Sequence, residues 1–153
     1  MSNHLSGIKL LFISLILSLA YLIGFEPFGY KYIGLLSVSI LFYFASKLEA
    51  RKAALLLFLF GFFLYCFGLY WLYISIHIVS GAPKILALIL IVILSAYLSV
   101  FYSIFGFIFV KLHKKIRNEW LSFLFIAPSL WTLLEIIRGY LLTGFPWFSL
   151  GYI

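Results

Sequence analysis

The chain contains no aspartate, and its only acidic residues are the four glutamates Glu26, Glu49, Glu119 and Glu135. That excludes a Ser/His/Asp triad within the chain and most carboxylate-rich metal sites. A single cysteine, Cys66, excludes an intrachain disulfide. Charged residues make up 10% of the 153 positions, where a soluble globular domain uses about 25%. So few cannot cover a surface that faces water, and the remaining solvent is lipid. There is no phosphate loop, no dinucleotide fingerprint and no Cys/His metal spacing, so neither a cofactor nor a metal is expected. The formal charge of +7 reads as a membrane-topology signal and a neighbour of lipid headgroups, not as a nucleic-acid footprint.

What is present is apolar: 66% of residues are hydrophobic and 22% aromatic. Uncharged runs cover Leu10–Phe25, Tyr32–Ser46, Ala53–Pro83, Ile85–Val110 and Trp120–Leu134. About 20 helical residues cross the hydrocarbon core, and none of the runs has the period-two alternation of a membrane barrel. The expected fold is an all-α integral membrane bundle in one domain, 1–153, with about five transmembrane helices near 8–25, 30–47, 53–79, 84–112 and 118–142. Gly24 with Pro27, Gly81-Ala82-Pro83, and Gly144 with Pro146 mark the breaks, and Pro128 predicts a kink or a late start in the fifth helix. Lys9 and the first run resemble a signal peptide, but the run continues to Phe25 and further spans follow, so an uncleaved first helix is expected. With alternating helices, Lys9, Lys47, Arg51, Lys52, Lys111, Lys114, Lys115 and Arg117 share one side, against Lys31, Lys84 and Arg138 on the other. The bias predicts a cytoplasmic N-terminus and a periplasmic chain end. Glu26-Pro27-Phe28, the stretch from His77 to Pro83, and the stretch from Arg138 to Trp147 then gather at the outer face.

Each polar feature there has a plain alternative. Arg138 can hold a lipid phosphate or carbonyl through its planar fork. Equally, it can pair with Glu135, three residues away on the same helix face, or snorkel to the headgroups. Trp147 leaves the helix through Gly144 and Pro146 and can be an interface anchor. Tyr70, Tyr73 or Ile74, and His77 share a stripe, and a histidine there is commonly an interhelical contact. Gly61 and Gly68, seven apart, predict close helix packing. Cys66 lies in mid-membrane with no ionisable neighbour in sequence, the wrong setting for a nucleophile. Ser149 lacks the first glycine of a serine elbow, since Trp147 stands in its place.

Three blocks together carry a family resemblance. They are Gly24-Phe25-Glu26-Pro27-Phe28; Gly68-Leu69-Tyr70-Trp71 through His77 with Ser80-Gly81; and Ala127-Pro128-Ser129-Leu130-Trp131, Glu135, Arg138-Gly139 and Thr143-Gly144-Phe145-Pro146-Trp147 through Tyr152. In order and spacing the chain resembles the amino-terminal membrane half of the apolipoprotein N-acyltransferases. The resemblance implies a bacterial inner-membrane enzyme that moves an acyl chain from a phospholipid to the N-terminal amine of a diacylglyceryl-cysteine lipoprotein, through a Cys thioester. It further implies eight membrane helices and a nitrilase-like periplasmic domain supplying Glu, Lys and Cys. No residue here corresponds to those three. The expectation is therefore a membrane part inactive by itself, either truncated or split from a separate chain bearing the nitrilase-like half. The implied substrate-binding residues are Arg138, Trp147, Pro146, His77, Tyr70, Trp71 and Glu26, with Arg138 and Trp147 near a lipid-access opening. Replacing Arg138 is thus expected to cost activity more than folding. The alternative is a non-enzymatic membrane scaffold or lipid-binding module. A small transporter is disfavoured, because the polar residues sit at helix ends and not at the midplane.

Overall fold

The structure, a computed structural model, describes residues 6–116, 118–141 and 144–153. Arg117, Leu142 and Thr143, which entered the charge count, the fifth helix and the third motif block, lie outside the described residues. Every regular element among them is helical. The order is α1 (Gly7–Leu22), α2 (Lys31–Ser46), α3 (Ala50–Gly68), a short α4 (Tyr70–Tyr73) running into a π turn (Ile74–Val79), α5 (Lys84–Lys115), α6 (Glu119–Leu121) running through a second π turn (Ser122–Ile126) into α7 (Ala127–Tyr140), and a final 3₁₀ turn (Leu150–Tyr152).

Three helical stretches are long and apolar enough to cross a membrane: Ala50–Gly68, Lys84–Lys115 and Glu119–Tyr140. With 32 residues, α5 runs about 48 Å, longer than the roughly 30 Å hydrocarbon core. At 16 residues each, α1 and α2 reach about 24 Å and need their flanks to span it. Large apolar side chains such as Ile85, Ile93, Trp120 and Phe125 stand exposed around the outside. That is the surface of an all-α membrane bundle, whose solvent is lipid.

Packing centres on α3 against α5, with α1 on the other side of α3. Small residues permit the approach, as is common where lipid gives helices no hydrophobic reason to associate. A Cβ on Gly61 would stand 3.2 Å from the Ser99 Cα and 2.8 Å from the Tyr102 ring; one on Gly106 would stand 2.7 Å from the Ala53 carbonyl oxygen. The same rule joins α1 to α2, where a Cβ on Gly24 would lie 3.0 Å from the Gly34 Cα. Most buried polar residues are serines, and several satisfy themselves on backbone carbonyls: Ser14 Oγ donates to Leu10 O at 2.7 Å and Leu56 O at 2.9 Å, and Ser99 Oγ to Ser95 O at 2.5 Å.

Two interruptions set up the functional end. Helix α3 stops at Gly68, and Leu69 leaves the helical region before α4 begins. The stretch read from sequence as one helix over 53–79 is therefore α3, α4 and a π turn. In the last helical stretch Pro128 stands at the first turn of α7, immediately after the second π turn. A proline lacks the N–H that would bond one turn back and its ring crowds that carbonyl; the wider turn before it relieves both.

Candidate functional site

Three connections meet at one end of the bundle: residues 23–30 after α1, residues 69–83 after α3, and the return segment 144–153 after α7. The return segment folds back over the helix ends, and two ionisable residues of α7 hold it there. Glu135 Oε1 accepts from Trp131 Nε1 at 2.8 Å on its own helix and from the Leu150 backbone N–H at 2.9 Å on the return segment. Arg138, only 2% exposed, points into the bundle. Its Nη1 donates to the Tyr65 and Tyr102 hydroxyls, the latter at 3.2 Å. Its Nη2 donates to Ser149 Oγ at 2.8 Å and to the Trp147 carbonyl at 3.3 Å. One guanidinium thus ties α3, α5 and α7 to the return segment. A planar fork with separated donors can do this, where a point ammonium cannot.

The segment's own residues complete the lock. Ser149 Oγ donates to Pro146 O at 2.8 Å, and the Tyr21 hydroxyl donates to Phe148 O at 3.0 Å. Phe148 adopts φ 59°, the left-handed region that a bulky residue occupies only when its surroundings impose it. Its ring lies edge-on to Phe25 at 5.3 Å and fills the notch at Gly68, where an added Cβ would stand 2.6 Å from it. The sequence pairs Gly68 with Gly61 as helix-packing glycines. Gly61 does face α5, but the neighbour that needs Gly68 bare is an aromatic ring from 80 positions downstream.

Between the return segment and the ends of α1 and α3 lies a cleft of about 760 Å³, lined chiefly by aromatic and apolar side chains. Ligand sites usually occupy about 300–1,000 Å³ with few polar groups. Five of the seven residues expected to meet substrate line it: Glu26 from the first connection, Tyr70 and Trp71 from α4, and Pro146 and Trp147 from the return segment. Trp71 and Trp147 face each other with ring centroids 5.6 Å apart. Phe28, Phe67, Phe148 and Tyr152 extend the wall.

The other two lie elsewhere. Arg138 does not line the cleft; it sits beneath the return segment, neither snorkelling outward nor using Glu135 as its acceptor, since the hydrogen bonds of each lead elsewhere. His77 closes the turn before α5, its Nδ1–H donating to Ala82 O at 2.7 Å and its ring 5.2 Å from that of Tyr73. Sequence reasoning missed Tyr21, Tyr65, Tyr102 and Ser149, the partners that make burial of Arg138 and the fold of the return segment possible. The available signal was the arginine itself, since a cation inside a bundle requires acceptors from neighbouring helices. Among its described lining residues the cleft holds one carboxylate and no cysteine, serine, histidine, lysine or arginine. Such a lining offers apolar and aromatic contact and a single carboxylate.

Comparison with known proteins agrees with this architecture. The family model for the apolipoprotein N-acyltransferase N-terminal domain matches residues 17–153. The chain is 36% identical over 131 residues to an apolipoprotein N-acyltransferase of Vibrio cholerae, a match covering 85% of this chain and 25% of that protein. It is 34% identical over 140 residues to that of Haemophilus influenzae and 32% over 141 residues to that of Pasteurella multocida, in each case 92% of this chain and 26% of the relative. The chain therefore spans about a quarter of the length of the curated relatives it matches. A match running through all three motif blocks and nearly the whole bundle places the chain in the apolipoprotein N-acyltransferase family, within its N-terminal membrane domain.

Proposed function

We propose that this chain is the lipid-binding membrane part of an apolipoprotein N-acyltransferase of the bacterial inner membrane, with the cleft at the periplasmic face. The observation that carries the reading is the cleft itself. Motif residues as far apart as Glu26 and Trp147 converge on one aromatic-walled space at one end of the bundle. An acyl chain in such a space is shielded from water and presented to a reactive group above it. Holding two reactants in place removes much of the entropic barrier to their reaction. Chemistry through a Glu, a Lys and a Cys thioester, as the family resemblance implies, belongs on this reading to the portion of such an enzyme beyond the matched quarter. Trp147, Pro146, Tyr70 and Trp71 cradle the lipid. Arg138 and Glu135 hold the return segment that completes the wall, and His77 fixes the turn beside it.

A chimera tests the reading. Residues 1–153 replace the matching quarter of the Vibrio cholerae relative in cells depleted of their own N-acyltransferase, and lipoprotein N-termini are analysed by mass spectrometry. The expected result is N-acylated lipoproteins. A chimera that inserts and remains folded yet leaves the amines free would overturn the acyltransferase reading in favour of a non-enzymatic lipid-binding scaffold.

A further inference from the structure

We propose that the end of the bundle opposite the cleft carries a separate lipid site, selective for the headgroup of an anionic phospholipid, with Lys47 at the end of α2 and Lys111 near the end of α5 as its phosphate-binding groups. The site goes beyond the acyltransferase reading and needs only that the bundle sit in a bilayer. Three observations converge. The first is charge. The start of α1, the end of α2, the start of α3, the end of α5 and the start of α6 lie at this end. They bring six exposed cations, Lys9, Lys47, Arg51, Lys111, Lys114 and Lys115, against two carboxylates, Glu49 and Glu119.

The second is the direction in which two of these side chains turn. A topology signal requires basic residues on one side of a membrane, but it sets no requirement on where their ammonium groups point. Lys47 Nζ lies 5.3 Å from the centroid of the Tyr43 ring, and Lys111 Nζ lies 4.3 Å from that of Phe107. Each ring stands one turn earlier on the chain that carries the lysine. Both α2 and α5 run towards this end, so both lysines fold back along their helices towards the bilayer. An ammonium held there lies at the depth of lipid phosphates. The ring covers one side of it and leaves N–H donors for a phosphate oxygen.

The third is convergence. Helices α2 and α5 pack together at this end, Phe42 stacking on Phe105 with centroids 4.9 Å apart. Beyond that contact Lys47 from α2 and Lys114 from α5 both bear on the His113 ring, with Glu119 of α6 as the opposing charge. Cations of different helices thus build one positive field. An anionic headgroup meets it with net attraction. A zwitterionic headgroup brings an ammonium of its own, which the surplus lysines repel, and such repulsion sets specificity as firmly as attraction does.

The full chain is reconstituted in phosphatidylcholine vesicles containing either phosphatidylglycerol or phosphatidylethanolamine with brominated acyl chains, and quenching of tryptophan fluorescence is followed. Trp120, 76% exposed at the start of α6, is the reporter. The part of the quenching that Trp120→Phe removes arises at this end and not at Trp71 or Trp147 of the cleft. That part should favour phosphatidylglycerol by about fivefold, the scale of one basic residue at an anionic surface, and should shrink in high salt. The double variant Lys47→Gln/Lys111→Gln should reduce the preference to roughly twofold or less with unchanged circular dichroism. Lys47→Arg/Lys111→Arg, which keeps both charges, should retain it, and so should Lys31→Gln/Lys84→Gln at the cleft end. Equal quenching by the two lipids, or a preference that survives loss of both Lys47 and Lys111, overturns the proposal. So does an equal loss in the cleft-end variant, which would make the effect one of net charge alone.

Discussion

The residue that most repays attention is Arg138, because burial changes what its loss should do. A cation inside a bundle costs little only while its donors are matched, and breaking one side of such an arrangement leaves the rest unpaired. Here two tyrosine hydroxyls, a serine hydroxyl and a backbone carbonyl share the guanidinium. Arg138→Ala should therefore cost about 3 kcal/mol of stability, read as a lower unfolding midpoint in detergent and faster proteolysis after Tyr140. Arg138→Lys should recover little of it, since one ammonium cannot reach donors' partners on both sides of the fork. An unchanged midpoint in both variants would return Arg138 to direct lipid contact. This replaces the expectation, formed from sequence, that its removal would spare folding. Glu135 and Arg138, three apart on one helix, do look like an intrahelical pair on paper. In the folded chain each finds a partner on the return segment instead, because that segment offers a backbone N–H to the carboxylate and a hydroxyl and carbonyl to the cation.

At the scale of elements, the cleft depends on how the return segment docks against α3. The contact is a ring in a notch: Phe148 against Gly68, with Phe148 held at φ 59° by its surroundings. Gly68→Val should push that ring out and cost about 1–3 kcal/mol, the usual penalty of overpacking. The cost should largely vanish when Phe148→Ala is also present, since residues in direct contact are not additive. A thermodynamic cycle of the four proteins, measured by chemical denaturation in detergent, checks this; additive penalties would show that Gly68 serves helix packing alone. Spacing at seven residues made Gly61 and Gly68 look equivalent. Gly61 opposes α5, whereas a Cβ on Gly68, at the end of α3, would meet the Phe148 ring of the returning chain at 2.6 Å before it met Leu22 of α1 at 3.3 Å. Pro128 was more transparent. Its missing donor predicts a disturbance in the fifth helical stretch, and a π turn is found directly before it.

For the whole molecule, the charges at the two ends of the bundle set an expected orientation. The cleft, Lys31, Lys84 and the return segment share one end of the bundle, while Lys47, Arg51, Lys111 and Lys114 lie towards the other. The positive-inside bias predicts a periplasmic cleft, as proposed above. A Lys84→Cys variant, exposed at the start of α5, should react in intact cells with a membrane-impermeant thiol reagent, with Cys66 replaced by Ser as background. Labelling only after the inner membrane is opened would invert the topology and place the cleft in the cytoplasm, where the proposed acyl transfer has no acceptor.

The sequence by itself determined the class, the helical architecture and the family. A chain so poor in charge has no solvent but lipid for its surface, backbone groups in lipid must pair within helices, and three ordered motif blocks leave little freedom of kinship. It also singled out five of the residues that line the cleft, Glu26, Tyr70, Trp71, Pro146 and Trp147, because residues beside helix breaks announce themselves locally. What only the tertiary structure decided is which way those side chains turn. Arg138 meets Tyr65 across 73 positions and Tyr21 meets Phe148 of the return segment across 127, and no local pattern encodes whether an arginine at a helix end looks outward to headgroups or inward to two tyrosines. That choice rests on the acceptors that neighbouring helices bring, which exist only once the bundle has packed.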